Sequence, residues 1–202
     1  MSHLLGIIIK NNPLSENQIT TRSERAAMGR ELPPFTYVSD EYVKTVFVKT
    51  TSTCDCCQKE SPYSYSGPIY VAGNKDITLC PWCIHDGSAA KKYQASFNEI
   101  YDEELAELIV TTVREQTPGY NSWQDQCWAT HCNDACVYHG DATSEDVAEA
   151  SEQTRQQWMH DYEQDAESWS YFMRDYHPGG DQGVYKFICR HCSLVVFNWD
   201  FF

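Results

Sequence analysis

The chain has 202 residues, with six Trp, thirteen Tyr and eight Phe, enough large rings to build a core and to exclude global disorder. Its formal net charge of −14 argues against nucleic acid or an anionic membrane surface as a partner and favours a basic protein. Ten cysteines point to disulfides or to metal. The apolar run at 4–9 is short, with no Lys or Arg before it and no small-residue cleavage site after it. No stretch reaches the ~20 apolar residues of a membrane span. The expectation is therefore a cytoplasmic chain whose reduced thiols bind metal.

In chain order, residues 1–31 are expected to be an N-terminal appendage, its apolar start broken by Asn11, Asn12 and Pro13. Residues 32–202 are expected to form one zinc-binding domain. Pro33 and Pro34 keep the stretch 32–37 extended. The β-branched run 43–48 predicts a strand leading to Cys54, and 69–71 and 77–79 predict two more strands joined by a turn over 73–76. A helix is expected near Asp86, with Asp86 or Ser88 as its cap. Phe97, Ile100, Tyr101, Leu105, Leu108, Ile109 and Val113 recur at helical steps until Thr117-Pro118-Gly119 stops them. The segment 123–138 is expected to be partly helical. A long helix from Ser144, broken at most once, carries a stripe that includes Val147, Trp158, Tyr162, Trp169, Met173 and Tyr176. A hairpin follows, with strands at 184–188 and 194–199 flanking a cysteine turn.

The cysteines fall into metal-ligand patterns. Cys54-Asp55-Cys56-Cys57 and Cys80-Pro81-Trp82-Cys83 are two C-x-x-C turns at zinc-ribbon separation. Cys54, Cys57, Cys80 and Cys83 are predicted to close one tetrahedral thiolate site, for which zinc is the default ion. Cys56 is then a spare, buried thiol. A catalytic redox pair is disfavoured, because such a pair stands alone. A third C-x-x-C, Cys189 and Cys192, needs two more donors. Cys132 and Cys136, one helical turn apart, are assigned to it, with His131, His139 or His191 as possible replacements. Two Zn2+ ions are expected, and Cys127 is assigned to core packing.

No reaction is legible. Four donors per ion leave no open position, and the metalloprotease, P-loop and nucleophile-elbow motifs are absent. Asp86, Ser88 and His85 read as a helix cap beside a knuckle, and Asp134 and His131 as hydrogen-bonding neighbours of a ligand. From Asp141 to Asp181 there are eleven acidic residues against Arg155 and Arg174, an excess of nine that supplies most of the net charge. That face is expected to be solvated or to dock a basic protein.

These motifs together resemble the bacterial CbrC-like family, named for a colicin-tolerance protein. The resemblance covers 32–200. It rests on the 32–37 stretch, Ser66-Gly67-Pro68-Ile69-Tyr70, the block from Leu79 through Cys80-Pro81-Trp82-Cys83 to Ala90, Thr117-Pro118-Gly119-Tyr120, Trp123-Gln124, and His131-Cys132-Asn133-Asp134-Ala135-Cys136. Gln58 stands where that family usually has glycine. The resemblance implies a link to toxins that attack the cell; together with the acidic helix, which could block a basic nuclease, it leads to the expectation of a non-enzymatic protein that neutralises a bacterial toxin. A metalloenzyme with an unusual zinc site and a zinc-ribbon regulator are the alternatives. The fold class expected is α+β: small antiparallel sheets built around zinc-ribbon-like four-cysteine knuckles, with amphipathic helices packed on them.

Overall fold

The computed structural model describes residues 30–201 apart from 74–75 and 125–126. All but two residues of the expected appendage over 1–31 lie outside this range, as does the tip of the turn over 73–76. Pro33 and Pro34 hold the first described residues extended, and Val38 bridges Tyr138. The strand expected over 43–48 is instead helix α1, Asp40–Val46. Ser39 caps it by accepting the Tyr42 N–H at 3.2 Å. Asp40 and Glu41 occupy the first turn, and Val43 and Val46 face the core. Cap, dipole and spacing together outweigh the β propensity of the valines. The strand comes one step later: β1, Phe47–Thr53, pairs antiparallel with β2, Glu60–Tyr65.

The stretches expected as strands at 69–71 and 77–79 form no ladder. Tyr70 bridges Ser96, and the Leu79 carbonyl accepts the Tyr65 N–H at 2.9 Å, extending the β1–β2 pair by a single bond. Two short helices follow, α2 (Pro81–His85) and α3 (Ser88–Tyr93), separated by Gly87 at φ +73. The amphipathic helix expected from 97 begins only at α4, Glu107–Gln116. Phe97, Ile100 and Leu105 are buried on an irregular run before it. Asp102 accepts the Glu104 N–H at 3.0 Å there, a local turn that competes with helix. The stop at Thr117-Pro118-Gly119 is where the sequence places it.

Residues 130–141 are β rather than partly helical. Strands β3 (Thr130–His131) and β4 (Asp134–Ala135) form a tight hairpin, and β5 (Val137–Asp141) continues from it. The acidic region is three helices: α5 (Ser144–Ala148), α6 (Glu152–Asp161) and α7 (Ala166–Met173). Thr143, Ser151 and Asp165 each cap one of them, so the chain restarts twice rather than once. The final hairpin is β6 (Gln182–Ile188) and β7 (Val195–Phe201), and the larger sheet has the order β5-β6-β7.

This sheet divides the core. Tyr185, Phe187 and Val196 face one cluster, which also holds Tyr120, Trp128, Tyr138 and the buried cysteines. The alternate residues Val184 and Phe197 face a second cluster with Trp158, Trp169, Met173 and Tyr176. The fold is α+β, with small antiparallel sheets, cysteine knuckles and packed helices, as expected. No helix among the described residues is long and apolar enough to cross a membrane.

Gly119 ties the two halves of the first cluster. Its N–H donates to the Tyr65 hydroxyl at 2.8 Å and its carbonyl accepts the Tyr42 hydroxyl at 2.7 Å. A Cβ there would overlap the Phe97 carbonyl oxygen, a backbone atom with no easy escape. Gly119→Ala is expected to destabilise the fold by about 1–3 kcal/mol, read as a lower denaturant midpoint at unchanged slope.

Candidate metal centres

The first centre is built by a turn and a helix start. At the end of β1 the chain turns back, the Gln58 N–H bonding the Cys54 carbonyl at 2.8 Å and the Cys54 N–H bonding the Lys59 carbonyl at 2.9 Å. Gln58 adopts φ 58, the left-handed region that favours glycine; its side chain steadies the turn by donating to the Asp55 carbonyl at 2.8 Å. Asp55 locks this turn to the second knuckle, its carboxylate accepting the Thr78 N–H at 2.7 Å. Lys92 adds an ammonium on the Asp55 and Cys56 carbonyls. Cys80 precedes α2, Pro81 opens that helix, and Cys83 sits within it.

The sulfurs of Cys54, Cys57, Cys80 and Cys83 lie within 4.8 Å of one another, and those of Cys54 and Cys83 are 3.9 Å apart. Four thiolates on one zinc at about 2.3 Å give sulfur–sulfur edges of about 3.8 Å, so the spacing fits the ion. The Cys80 N–H points at the Cys54 sulfur at 3.3 Å. The electrostatics also fit. The Cys80 thiol and the N–H groups of Cys57, Cys80 and Cys56 bring Cys54 down to about 4 against the effect of burial. Cys83 is pushed up to about 12, chiefly by burial, and Cys80 is raised further, first by its bond to the Cys54 sulfur and then by burial. One thiolate is stabilised by the protein alone; holding four requires a cation.

The second centre joins the β3–β4 hairpin to the β6–β7 turn. Its donors are His131, Cys132, Cys189 and Cys192. The Cys132 and Cys192 sulfurs are 3.9 Å apart, and each approaches His131 Nδ1, at 3.2 and 3.4 Å. A tetrahedral zinc with sulfur at about 2.3 Å and nitrogen at about 2.05 Å gives sulfur–nitrogen edges of about 3.5 Å. Burial opposes the Cys189 thiolate, but the N–H groups of Cys192 and His191 together with the His131 and Cys192 side chains outweigh it and bring the thiol down to about 6.

Cys136, assigned by sequence to this centre, is not in the group. It is fully buried, and its carbonyl accepts the Trp128 indole N–H at 2.9 Å. The assignment assumed a helix through 132–136. Cys132 and Asn133 instead both have φ 55, the paired left-handed geometry of a two-residue hairpin turn. That turn brings His131 alongside Cys132 and sends Cys136 into the core. The signal for it is Cys132-Asn133-Asp134, since Asn favours such turns. His191 and His139 lie outside both groups, as do Cys56 and Cys127.

Asp134 joins the two halves of the second centre. Its buried carboxylate accepts from the Tyr37 hydroxyl at 2.9 Å and from Arg190 at 2.8 Å, and His191 Nε2 lies 3.0 Å away. Burial alone would raise its pKa; the bonds from Tyr37 and His191 and the Arg190 charge hold it below the usual carboxylate range. Arg190 and His191 are the two residues between Cys189 and Cys192, so Asp134 fixes one ligand loop against the other. Beside the first centre, Asp86 accepts the Ser88 N–H at 2.9 Å and Ser88 donates to the Cys83 carbonyl at 3.3 Å; the N-cap position expected at Asp86 or Ser88 is instead Gly87, which has no capping side chain, and Asp86 ends the preceding helix.

A model of the uncharacterised protein family UPF0167 matches residues 32–201, so the chain belongs to that family. A UPF0167 protein of Pseudomonas aeruginosa is 38% identical over 178 residues, covering 86% of this chain and 99% of the relative. UPF0167 proteins of Mycobacterium bovis and Mycobacterium tuberculosis are each 29% identical over 184 residues, covering 88% of this chain and 98% of the relative. No solved structure matches the chain. The resemblance to a CbrC-like colicin-tolerance family is thereby corrected: the matching family and the relatives carry the UPF0167 name. The segment from Leu79 to Ala90 that prompted it is accounted for locally as a knuckle, a proline-led helix start and a left-handed glycine between two short helices.

The ligand assignment has a direct consequence. His131→Ala is expected to reduce bound zinc from two ions per chain to one, whereas Cys136→Ala keeps both, as read by metal analysis of the purified protein. Asp134→Ala is expected to weaken one of the two sites about 10- to 100-fold, measured by competition with a chromophoric chelator.

Proposed function

We propose that this UPF0167 chain is a non-catalytic, cytoplasmic zinc protein that works by binding a basic protein partner. The observation that supports a structural role for the metal is the donor count. Each group already offers four sulfur or nitrogen donors at tetrahedral spacing, and a four-coordinate site leaves no position for a substrate or a reactive water. A metalloenzyme would need a centre with three protein ligands.

The partner class is supported by charge. Ten of the eleven carboxylates between 141 and 181 are exposed. The remaining one, Asp146, pairs with Lys186 and closes a capping box with Thr143. Trp158, Trp169, Met173 and Tyr176 turn inward from the same region, so the helical layer presents its carboxylates outward from a packed apolar base. Such a surface raises the encounter rate with a cationic protein and repels nucleic acid, which disfavours a zinc-ribbon DNA regulator. A basic nuclease toxin is the specific partner of this kind that we put forward. It is supported by the complementarity between a cationic toxin and this acidic layer.

The test is co-purification and co-expression rescue with basic toxins encoded beside the gene. A complex is expected whose association slows about tenfold or more when Glu149, Glu152 and Glu163 are changed to Lys, and slows likewise as salt rises. Absence of complex and of rescue with every such toxin overturns the toxin assignment. Binding that is indifferent to salt and to charge reversal overturns the acidic surface as the docking face.

A further inference from the structure

The two centres differ in exposure. At the first, Cys54, Cys80 and Cys83 are 0%, 3% and 4% exposed and only Cys57 of the four is half-buried. At the second, Cys132 and Cys192 are both open to solvent while Cys189 is buried. The open side faces a cleft of about 480 Å³ lined by Gln153, Gln156, Gln157 and His160 of α6, so a small polar molecule reaches the sulfurs directly. Resting on the zinc reading above, we infer that the second centre is an oxidation site, at which a peroxide-class oxidant joins Cys132 to Cys192 as a disulfide and frees the ion while the first centre keeps its own.

The chemistry follows from ligation and geometry. Metal binding holds both sulfurs as thiolates at neutral pH, and exposed thiolates are the form that peroxide oxidises. One sulfur attacks a peroxide oxygen, the O–O bond breaks, and the departing hydroxide takes a proton to become water. The sulfenic acid left on that sulfur is attacked by the second thiolate. Its S–O bond breaks, and the second hydroxide is likewise protonated to water. The two thiolates supply two electrons and are oxidised to one disulfide, and one hydrogen peroxide with two protons is reduced to two waters. The sulfurs start 3.9 Å apart and must close by about 1.9 Å to reach bonding distance, a movement at the exposed tip of a hairpin. Of the four donors in this group, His131 and Cys189 then remain, too few to retain zinc against solvent. The Cys132–Cys192 pair is singled out over Cys189 because the Cys189 sulfur is turned inward toward the His131 carbonyl.

The experiment treats the zinc-loaded full chain with graded hydrogen peroxide. Zinc release is followed with a chromophoric chelator, and disulfides are mapped by mass spectrometry. The expected result is release of one ion of two, at least about tenfold faster than the other, together with a Cys132–Cys192 disulfide and rebinding after a thiol reductant. Simultaneous loss of both ions, release without that disulfide, or retention of both ions at peroxide levels that oxidise a free exposed thiol overturns the proposal. Zinc content is measured first. A chain that binds no zinc overturns the zinc reading and this proposal together, whereas two ions that peroxide leaves in place overturn this proposal alone.

Discussion

Four soft donors drawn from two distant stretches of chain around one point in space are the constraint on which the rest of this structure depends. Cys54 and Cys83 are 29 residues apart and Cys132 and Cys192 are 60 apart, yet the sulfurs of each pair approach to 3.9 Å. Closing a loop of either length costs about 4 kcal/mol of chain entropy in the unfolded state. Bringing four polarisable thiolates together without a cation would add mutual repulsion to the hydrogen bonding and burial that already raise the Cys80 and Cys83 thiols. A structural zinc contributes about 10–16 kcal/mol in small domains, enough to offset both. The ions thus add to the apolar clusters that line both faces of the three-stranded sheet.

The centres divide the work by position. The first lies within the larger cluster and fixes the β1–β2 pair against α2 and α3. The second closes the segment that carries the three acidic helices, because that segment leaves the hairpin at 130–135 and returns at Cys189. Asp134 reinforces the closure from outside the ligand shell, through Arg190 and His191. The acidic segment is thus closed twice, by the second centre and by the adjoining β5–β6 ladder, which pairs Val137 with Ile188 and Asp141 with Tyr185.

The cysteine framework was legible in the sequence because C-x-x-C spacing is a local geometric requirement: two sulfurs three residues apart, with backbone N–H groups turned toward them, make half of a site. The final hairpin and the stop after α4 were legible for the same reason, since alternation and a Pro-Gly pair act locally. What the sequence concealed was decided by competing local signals. Val43 to Val48 looked like strand until Ser39 capped a helix that ended at Val46. The periodic apolar run from Phe97 looked helical, but its first half is buried as irregular chain around an Asp102 turn. Cys132 and Cys136 had helical spacing, while the Cys132-Asn133 pair made a hairpin turn and placed His131 at the metal. The partner of the acidic surface is not written in any of these patterns, because charge specifies a class of ligand and no single member of it.

Zinc K-edge X-ray absorption on the purified chain tests most directly whether two closed centres hold the fold. Seven cysteines and one histidine shared between two ions predict an average first shell of about 3.5 sulfurs at about 2.3 Å and about 0.5 nitrogen at about 2.0 Å per zinc. A shell with oxygen neighbours and two or fewer sulfurs per ion, or a protein whose cysteines are paired as disulfides and whose fold is unchanged by a strong chelator, would contradict the account.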